Sequence, residues 1–462
     1  MSVSKAFYLA TLGCKVNQYE SHALREAWEA LGMPEAARPE DAGCIVVNSC
    51  AVTAKAVADV RHTVSRLHRA APDASIIVTG CAAEVMAAEL ASLPGVVRVV
   101  AQSNKTELLR LASGAEAAEG PTRAGSGPGR IAASDSPHPQ VFPPFSVSGY
   151  DRSRAVLKVQ DGCSHGCTYC IVPLTRGRAR SRSFDEALEE ARRLLASGFR
   201  EIVISGVNLR QYRSSEGDFW DFLSRLDASL SPEWAGQARL RLSSLEPGQL
   251  GGRALEALSA CRMVAPHIHL SLQSGSPGVL TRMGRGHYDP ASLPDFLERL
   301  RGLWPVFGLG ADLLTGFPAE SDEEFAEGLE LIRALPLTYT HVFPFSRRPG
   351  TRAASLPGQI AQTVKKERAA RLRALVGEKK QIFLRKLLAE SRLSVVFENR
   401  GEQGGSRKSP RGLCEYYVDC RLASDGHGKA ATPSGVLTPA RPVGMDGDVL
   451  LVKTEPPEGA CV

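Results

Sequence analysis

The 462-residue chain has no apolar run near the roughly 18–20 residues that a membrane-spanning helix needs. Its first residues, MSVSKAFYLATLGCK, lack the basic head, apolar run and small-residue cleavage site of a secretory signal. A cytoplasmic protein without a membrane partner is therefore expected. The eleven cysteines are an odd number, which argues against a disulfide framework. In a reducing compartment thiols stay free unless they hold metal or do redox work. The ten histidines contain no HxxxH pair, so no separate zinc site is expected. There is also no internal repeat beyond an alternation of strands and helices.

What is present is an ordinary globular composition, 43% apolar, in a chain too long for one core, so two to three domains are expected. The net charge of +6 is modest but clustered. Between Lys365 and Arg392 ten Lys or Arg face three Glu, and Arg176, Arg178, Arg180 and Arg182 form a second basic group. Such clustering points to a polyanion partner, although a solvated helix face explains the Lys365 segment equally well.

The first hundred residues read as a βαβ series. AFYLATLG, CIVVNSC, SIIVTGC and VVRVV are strand-like, and Ala23, Leu24, Ala27, Trp28 and Leu31 recur at helical spacing. Further helices are expected through Thr53 to Ala70 and near Ala83 to Leu90. That pattern predicts a parallel sheet with helices on its faces. Residues 113–146 are rich in Gly, Ala, Ser and Pro and read as a linker. Strands then resume with AVLKV, EIVISGVN, ARLRLSSLE, HIHLSLQS, GLGADLLTGFP and THVFPFS, each followed by a helix or connection, which predicts a large open α/β barrel. A charged helical stretch to about Ser391 leads into SVVFEN, GLCEYYVDCRL and DGDVLLVKTE, short strands that predict a small all-β barrel. The expected domains are 1–112, a linker 113–146, 147–392 and 393–462.

Two sets of three cysteines carry the chemistry. Cys14, Cys50 and Cys81 each end one of the first three strands, 36 and 31 residues apart. In a parallel sheet the strand C-termini share one edge, where α/β folds bind ligands, so the three can meet. Cys163, Cys167 and Cys170 stand in DGCSHGCTYC with spacing CxxxCxxC and no fourth cysteine close behind them. Structural zinc wants four ligands, and His165 would be a cramped fourth between two cysteines. A [4Fe–4S] cube with one iron left open fits better. Cys44 opens its strand rather than ending it, Cys414 and Cys420 flank a strand as packing residues, and Cys261 and Cys461 have no partner spacing.

The CxxxCxxC spacing with Tyr169 before its last cysteine resembles the radical SAM superfamily. The resemblance implies that S-adenosylmethionine chelates the open iron and that one electron from the low-potential cluster yields a 5′-deoxyadenosyl radical. It also implies cosubstrate contacts from Ser205, Gly206 and Asn208 in SGVN, from Glu246 in SSLEP, from Gln273 in SLQSG and from Asp312 in ADLLTGFP, all ending strands at one barrel mouth. A polar residue at a strand end is as often a mere cap.

Both three-cysteine sites in this order, with a C-terminal β module, resemble the radical SAM methylthiotransferases over nearly the full length. That resemblance implies a second [4Fe–4S] cluster on Cys14, Cys50 and Cys81, a radical cluster on Cys163, Cys167 and Cys170, and a C-terminal TRAM domain that binds RNA, matched by GLCEYYVDC and PVGMDGDVLLV. LGCKVNQYES, RGRARSR, HLSLQSGSPGVLTRMGR and HVFPFSRRPGTRA look most like the branch acting on threonylcarbamoyl-adenosine in tRNA. The implied reaction spends one S-adenosylmethionine to methylate a sulfur on the auxiliary cluster and another to remove hydrogen from C2 of the adenine. That carbon carries no acidic proton, hence the radical. The implied partners are a tRNA anticodon stem-loop, bound in part by the four arginines, and a reduced flavodoxin or ferredoxin as electron donor. VPLTRGR departs from the family pattern near Leu174 and Thr175. Alternatives are the same chemistry on isopentenyl-adenosine or on a ribosomal-protein aspartate, and a non-enzymatic iron–sulfur RNA-binding protein.

Overall fold

The computed structural model describes residues 6–111, 130–132, 141–150, 152–398, 409–423 and 435–455. The chain divides into two compact units, Met1–Ser148 with Gln160–Arg182 and Ser346–Ser355, and Gly149–Val159 with Ser183–Phe345 and Leu356–Val462.

The first unit is built on the parallel sheet β1 (Phe7–Thr11), β2 (Cys44–Ser49), β3 (Ser75–Gly80), β4 (Val96–Ala101) and β5 (Arg130–Ala132), in that order. Ile45, Val46 and Val47 are all buried, as expected of a strand covered on both faces. The helices α1 (Lys15–Ala30), α2 (Ala54–Ala70) and α3 (Cys81–Val85) follow the first three strands. In α2, Thr53 caps the start through the Ala56 amide, and Val57, Val60, Val64 and Leu67 form the buried stripe. Each fully buried side chain of this kind is worth about 1.5–3 kcal/mol. The helix expected near Ala83 begins two residues earlier, at Cys81 itself. β5 lies within the stretch read as linker, and Phe145 and Val147 near its end are buried. The rest of that stretch up to residue 140, and Cys461, lie outside the described residues.

The second unit carries two three-stranded parallel sheets, β6 (Ala155–Lys158), β7 (Glu201–Ser205) and β8 (Arg239–Leu242), then β9 (His267–Gln273), β10 (Gly308–Thr315) and β11 (Tyr339–Pro344). Leu245 joins them by exchanging backbone hydrogen bonds with His269 and Ser271, both 2.8 Å. The result is a six-stranded open barrel with helices outside. Two of these start with capping boxes, α4 (Phe219–Trp234) on Asp218 and Asp221 and α5 (Asp322–Ala334) on Ser321 and Glu324. The long helix α6 (Gln362–Leu387) leads to a closed five-stranded barrel of β12 (Leu393–Phe397), β13 (Arg411–Cys414), β14 (Asp419–Leu422), β15 (Leu437–Asp446) and β16 (Val449–Thr454). GLCEYYVDCRL, read as one strand, is a hairpin, β13 and β14, with Tyr417 in the left-handed region at φ 63°. Cys414 and Cys420 are buried in this barrel's core, as packing residues should be. Among the described residues no helix is long and apolar enough to cross a membrane.

Candidate functional site

The cysteines of the first set sit where the sheet edge puts them. Cys14 is the residue before α1, Cys50 follows β2, and Cys81 opens α3. Gly13 and Gly80 precede two of them at φ 102° and 97°. A Cβ on Gly13 would lie 2.7 Å from Cys50 Cβ, and one on Gly80 would lie 2.4 Å from the Ser49 oxygen, so only glycine lets these turns close over the edge. Burial above all, with smaller contributions from the Cys81 and Cys14 thiols, pushes the Cys50 thiol up to about 11. The Cys44 thiol is raised to about 11 by burial alone, in keeping with a packing residue.

The loops are pinned from below by a buried polar network. Asn17 Nδ2 donates to the Leu12 and Ser49 carbonyls at 2.8 and 2.9 Å, which ties the Cys14 turn to the Cys50 turn. Lys105 Nζ donates to Glu20 at 2.6 Å and to Asn48 Oδ1 at 2.9 Å. Arg176 joins the same network, donating to Glu20 at 2.8 Å, Asp161 at 3.0 Å and Asn17 Oδ1 at 2.7 Å. Burial works against its charge, but Glu20, Cys81 and Asp161 outweigh it and hold its pKa well above the ordinary value. Lys105, fully enclosed, has its pKa lowered by the same burial.

Arg176 therefore belongs to the second cysteine loop by sequence and to the first by its contacts. That loop is closed at its base by a short antiparallel ladder of Gln160–Asp161 against Arg180–Ser181. Gly162 sits at φ 68°, and a Cβ there would lie 2.0 Å from the Arg178 carbonyl. Within the loop the Cys163 amide donates to the Gly177 carbonyl at 2.9 Å, the His165 amide to Cys163 Sγ at 3.4 Å, and the Cys170 amide to the Cys167 carbonyl at 3.2 Å. Arg352 donates to the Gly166 carbonyl at 2.7 Å and the Ala353 amide to that of Thr168 at 2.8 Å, bracing the loop from residues 346–355. Cys163, Cys167 and Cys170 are half-buried. Three thiols on a braced, half-open loop, one already accepting an amide N–H···S bond, suit an iron–sulfur cluster with a position left over.

The four arginines read as RNA contacts need correcting. Arg176 is 2% exposed. Arg180 is spent on Asp161 at 3.3 Å and on the Arg176 carbonyl at 3.1 Å. Arg182 is buried, donating to the Tyr19 hydroxyl at 3.4 Å. A guanidinium buried or engaged inside the protein is poorly placed to meet a phosphate, so Arg178, which is exposed, fits that role best of the four. The sequence signal that separates them is absent, because Glu20 and Asn17 lie more than 150 residues away along the chain.

Of the residues matched to cosubstrate contacts, Ser205 ends β7 and its carbonyl accepts the Val159 amide at 2.9 Å. Gly206 follows it, and Asn208 caps the next turn through the Arg210 amide at 3.1 Å. Gln273 ends β9 in the left-handed region at φ 65°. Glu246 lies four residues beyond β8 and is gripped through both oxygens by Arg285, at 3.2 and 2.6 Å, a partner the sequence does not suggest. Asp312 departs from the expectation. It is the fifth residue of the eight in β10, not its end, and Oδ1 lies 3.1 Å from His269 Nε2. His269 Nδ1 in turn meets the Tyr339 hydroxyl at 2.8 Å, and that hydroxyl meets His267 Nε2 at 2.9 Å. The histidines thus do cluster, by strand register rather than by helical spacing. The alternating His-x-His of HIHLSLQS was the available signal.

Near the start of β7 and β8, Glu201 is wholly buried between Arg239 and Arg241. Burial pushes its carboxyl up, but the two guanidinium groups more than reverse this and hold it well below the carboxylate range. The same arginines donate to the carbonyls of Ser394, Leu413, Cys414 and Glu415 at 2.7–3.0 Å, fastening the small barrel onto the open one.

Comparison with known proteins agrees with this geometry. Residues 6–102 match Uncharacterized protein family UPF0004 and residues 157–332 match the Radical SAM superfamily. The chain is 35% identical over 79% of its own length and 79% of theirs to the threonylcarbamoyladenosine tRNA methylthiotransferase MtaB of Bacillus subtilis. It is 34% identical to that of Chlamydia pneumoniae, over 82% of this chain and 85% of that one. It is also 33% identical to a tRNA-2-methylthio-N(6)-dimethylallyladenosine synthase of Sphingopyxis alaskensis, over 88% of this chain and 90% of the relative. In fold it is similar to the radical S-adenosylmethionine methyltransferase TsrM of Kitasatospora setae, with TM-score 0.55 and 18% identity over 75% of each chain. With relatives this similar over most of their length, the chain belongs to the radical SAM methylthiotransferase family.

Proposed function

We propose that the protein is a tRNA methylthiotransferase that places a methylthio group on C2 of N6-threonylcarbamoyladenosine beside the anticodon. The observation that carries this reading is the pair of three-thiol loops in one unit, each closed by glycines that no other residue could replace, together with relatives of that name. Cys163, Cys167 and Cys170 would hold one [4Fe–4S] cluster and Cys14, Cys50 and Cys81 a second. When bound, the first cluster supplies the electron that cleaves S-adenosylmethionine and so provides an acceptor for hydrogen from an unactivated C–H bond. The chain's part would be to hold both sets of thiols in fixed relation through the Asn17–Glu20–Lys105–Arg176 network of the first unit. In the second unit, Ser205, Gly206, Asn208 and Gln273 are the residues that match the family's cosubstrate contacts.

The small closed barrel would be the RNA-binding TRAM module. Arg441 and Lys453 are exposed and stand directly opposite each other on β15 and β16. Exposed Lys366, Arg371, Arg385 and Lys386 on α6 extend the basic surface, whereas Arg368 and Lys379 of the same helix are spent internally. Reduced flavodoxin or ferredoxin would be the electron donor, in the cytoplasm.

The test is mass spectrometry of nucleosides from tRNA of cells with and without the gene. Loss of 2-methylthio-threonylcarbamoyladenosine, restored by the intact gene but not by Cys163→Ala, is expected. Loss of the isopentenyl analogue instead would move the protein to the other tRNA branch, and an unchanged profile would sink the tRNA reading.

A further inference from the structure

One cation of the first unit is buried with no anion of the chain beside it. Arg348 is 5% exposed. Its Nε is buried without a hydrogen-bond partner, and among the described residues its guanidinium makes neither an ion pair nor a hydrogen bond. The other enclosed guanidinium groups of this unit are met from inside, Arg176 by Glu20, Asp161 and Asn17, and Arg182 by the Tyr19 hydroxyl. Even exposed Arg347, its neighbour in the chain, donates through two nitrogens to the Ala354 carbonyl at 2.9 and 2.7 Å. A charge taken out of water without a partner is strongly unfavourable, so an unmet guanidinium this deep points to an anion that the side chains do not themselves supply.

The backbone holds Arg348 between the two cysteine loops. Residues 346–355 follow the last strand of the open barrel, yet they belong to the first unit. Ser346 Oγ accepts the Ala54 amide at 3.0 Å, where α2 begins just after Cys50. Arg352 and Ala353 reach the other loop, donating to the carbonyls of Gly166 and Thr168. Along the chain Arg348 lies between these anchors. Its own carbonyl accepts from the Thr351 amide at 3.2 Å and the Thr351 hydroxyl at 2.7 Å, which closes a turn and fixes where the side chain starts. Burial lowers the pKa of the guanidinium, and among the described residues Cys50 is the group whose charge offsets this.

We propose that Arg348 is a positioning residue for the cluster on Cys14, Cys50 and Cys81, donating to the sulfur of Cys50 and balancing the negative charge that a thiolate-held cluster brings. This rests on the two-cluster reading above and goes further by naming the side chain that sets the charge balance of the second cluster. Nearby charge and hydrogen bonds to sulfur are what tune such a cluster's potential. The reduced state carries one more electron than the oxidised one, so a fixed guanidinium favours it and raises the midpoint. Arginine suits the task because it stays charged when buried and presents several donors in a rigid fork.

The test uses the full chain carrying Cys163→Ala, Cys167→Ala and Cys170→Ala, loaded with iron and sulfide, without RNA or S-adenosylmethionine. The first set of cysteines is then the one left to hold a cluster. Its midpoint is read by redox titration followed by electron paramagnetic resonance, with and without Arg348→Met. At the potential where the parent is half reduced, the variant's reduced-to-oxidised ratio should be at least about tenfold lower, a shift of about 59 mV for a one-electron couple. Arg348→Lys, which keeps the charge but not the fork, should recover part of this. Melting of the cluster-free full chain covers the case of a variant that simply unfolds. Replacing an unmet buried cation should leave the melting temperature no lower than the parent's, and a clear drop would mean that the chain satisfies Arg348 itself, which overturns the inference. An unmoved midpoint in a variant of full iron content overturns it too, and leaves the two-cluster reading standing. If the native chain binds one cluster's share of iron and the triple variant none, the two-cluster reading falls and this inference with it.

Discussion

Arg176 separates two accounts of the basic segment after the second cysteine set, and Arg176→Met tests them. Methionine keeps much of the length and removes the charge. Glu20 and Asp161, both fully buried, would lose a partner each. Breaking a buried ion pair from one side costs about 3–5 kcal/mol. Here Glu20 keeps Lys105 at 2.6 Å and Asp161 keeps Arg180 at 3.3 Å, so the lower end, about 3 kcal/mol, is the working figure. At roughly 2–4 °C per kcal/mol for a unit of this size, the melting temperature should fall by about 6–12 °C. Calorimetry of the holoprotein reads this directly. Arg178→Ala provides the contrast. Its side chain is exposed, so stability should move by no more than about 0.5 kcal/mol, while the log–log salt slope of tRNA binding should drop by roughly 0.7–0.9 for one lost phosphate contact. If Arg176→Met melts like wild type and flattens the salt slope, the internal network is not what holds Arg176, and the RNA-facing account is right.

The contrast between these two arginines also marks where the sequence was legible. Period-two and helical patterning gave the N-terminal sheet, the open barrel and the small β barrel, because each depends on local alternation of apolar residues. The edge position of Cys14, Cys50 and Cys81 followed from parallel topology alone. RGRAR, by contrast, looks uniformly solvent-facing, and nothing local says that Arg176 turns inward to Glu20 while Arg178 turns out. The same holds for Glu246, whose partner Arg285 is 39 residues on, and for Asp312, whose place in mid-strand depends on where β10 starts. Long-range pairing of charges carries no periodic signature, and the histidine cluster has no HxxxH spacing because the register of three strands assembles it. The strand at Arg130–Ala132 was hidden by the Gly- and Ser-rich residues around it.

Three further outcomes follow from particular contacts. Gly162→Ala forces a Cβ to within 2.0 Å of the Arg178 carbonyl at a left-handed φ, so the second cysteine loop should fail to close, seen as loss of one cluster's share of iron and of its visible absorbance in a protein that still folds. Replacing Arg441 and Lys453 together by alanine should weaken tRNA binding and lower its salt slope by roughly 1.4–1.8 without loss of stability, and an unchanged slope by filter binding would remove β15 and β16 from the RNA surface. The last concerns Glu201→Gln. With Arg239 and Arg241 losing their shared carboxylate the open barrel should be less stable by about 3–5 kcal/mol at pH 7. A carboxyl whose pKa is depressed by folding stabilises above its unfolded value, about 4.3, and loses that contribution as pH falls below it toward the folded value. The gap between wild type and variant should therefore be constant from pH 7 down to about 5 and shrink steadily below about 4, as protonation does to Glu201 what the amide does permanently. Urea melts of both proteins across that range measure the gap. A gap that stays constant into acid would mean that the cost lies in packing around the glutamine, and that the charge of Glu201 does not hold the two barrels' carbonyl-bound arginines in place.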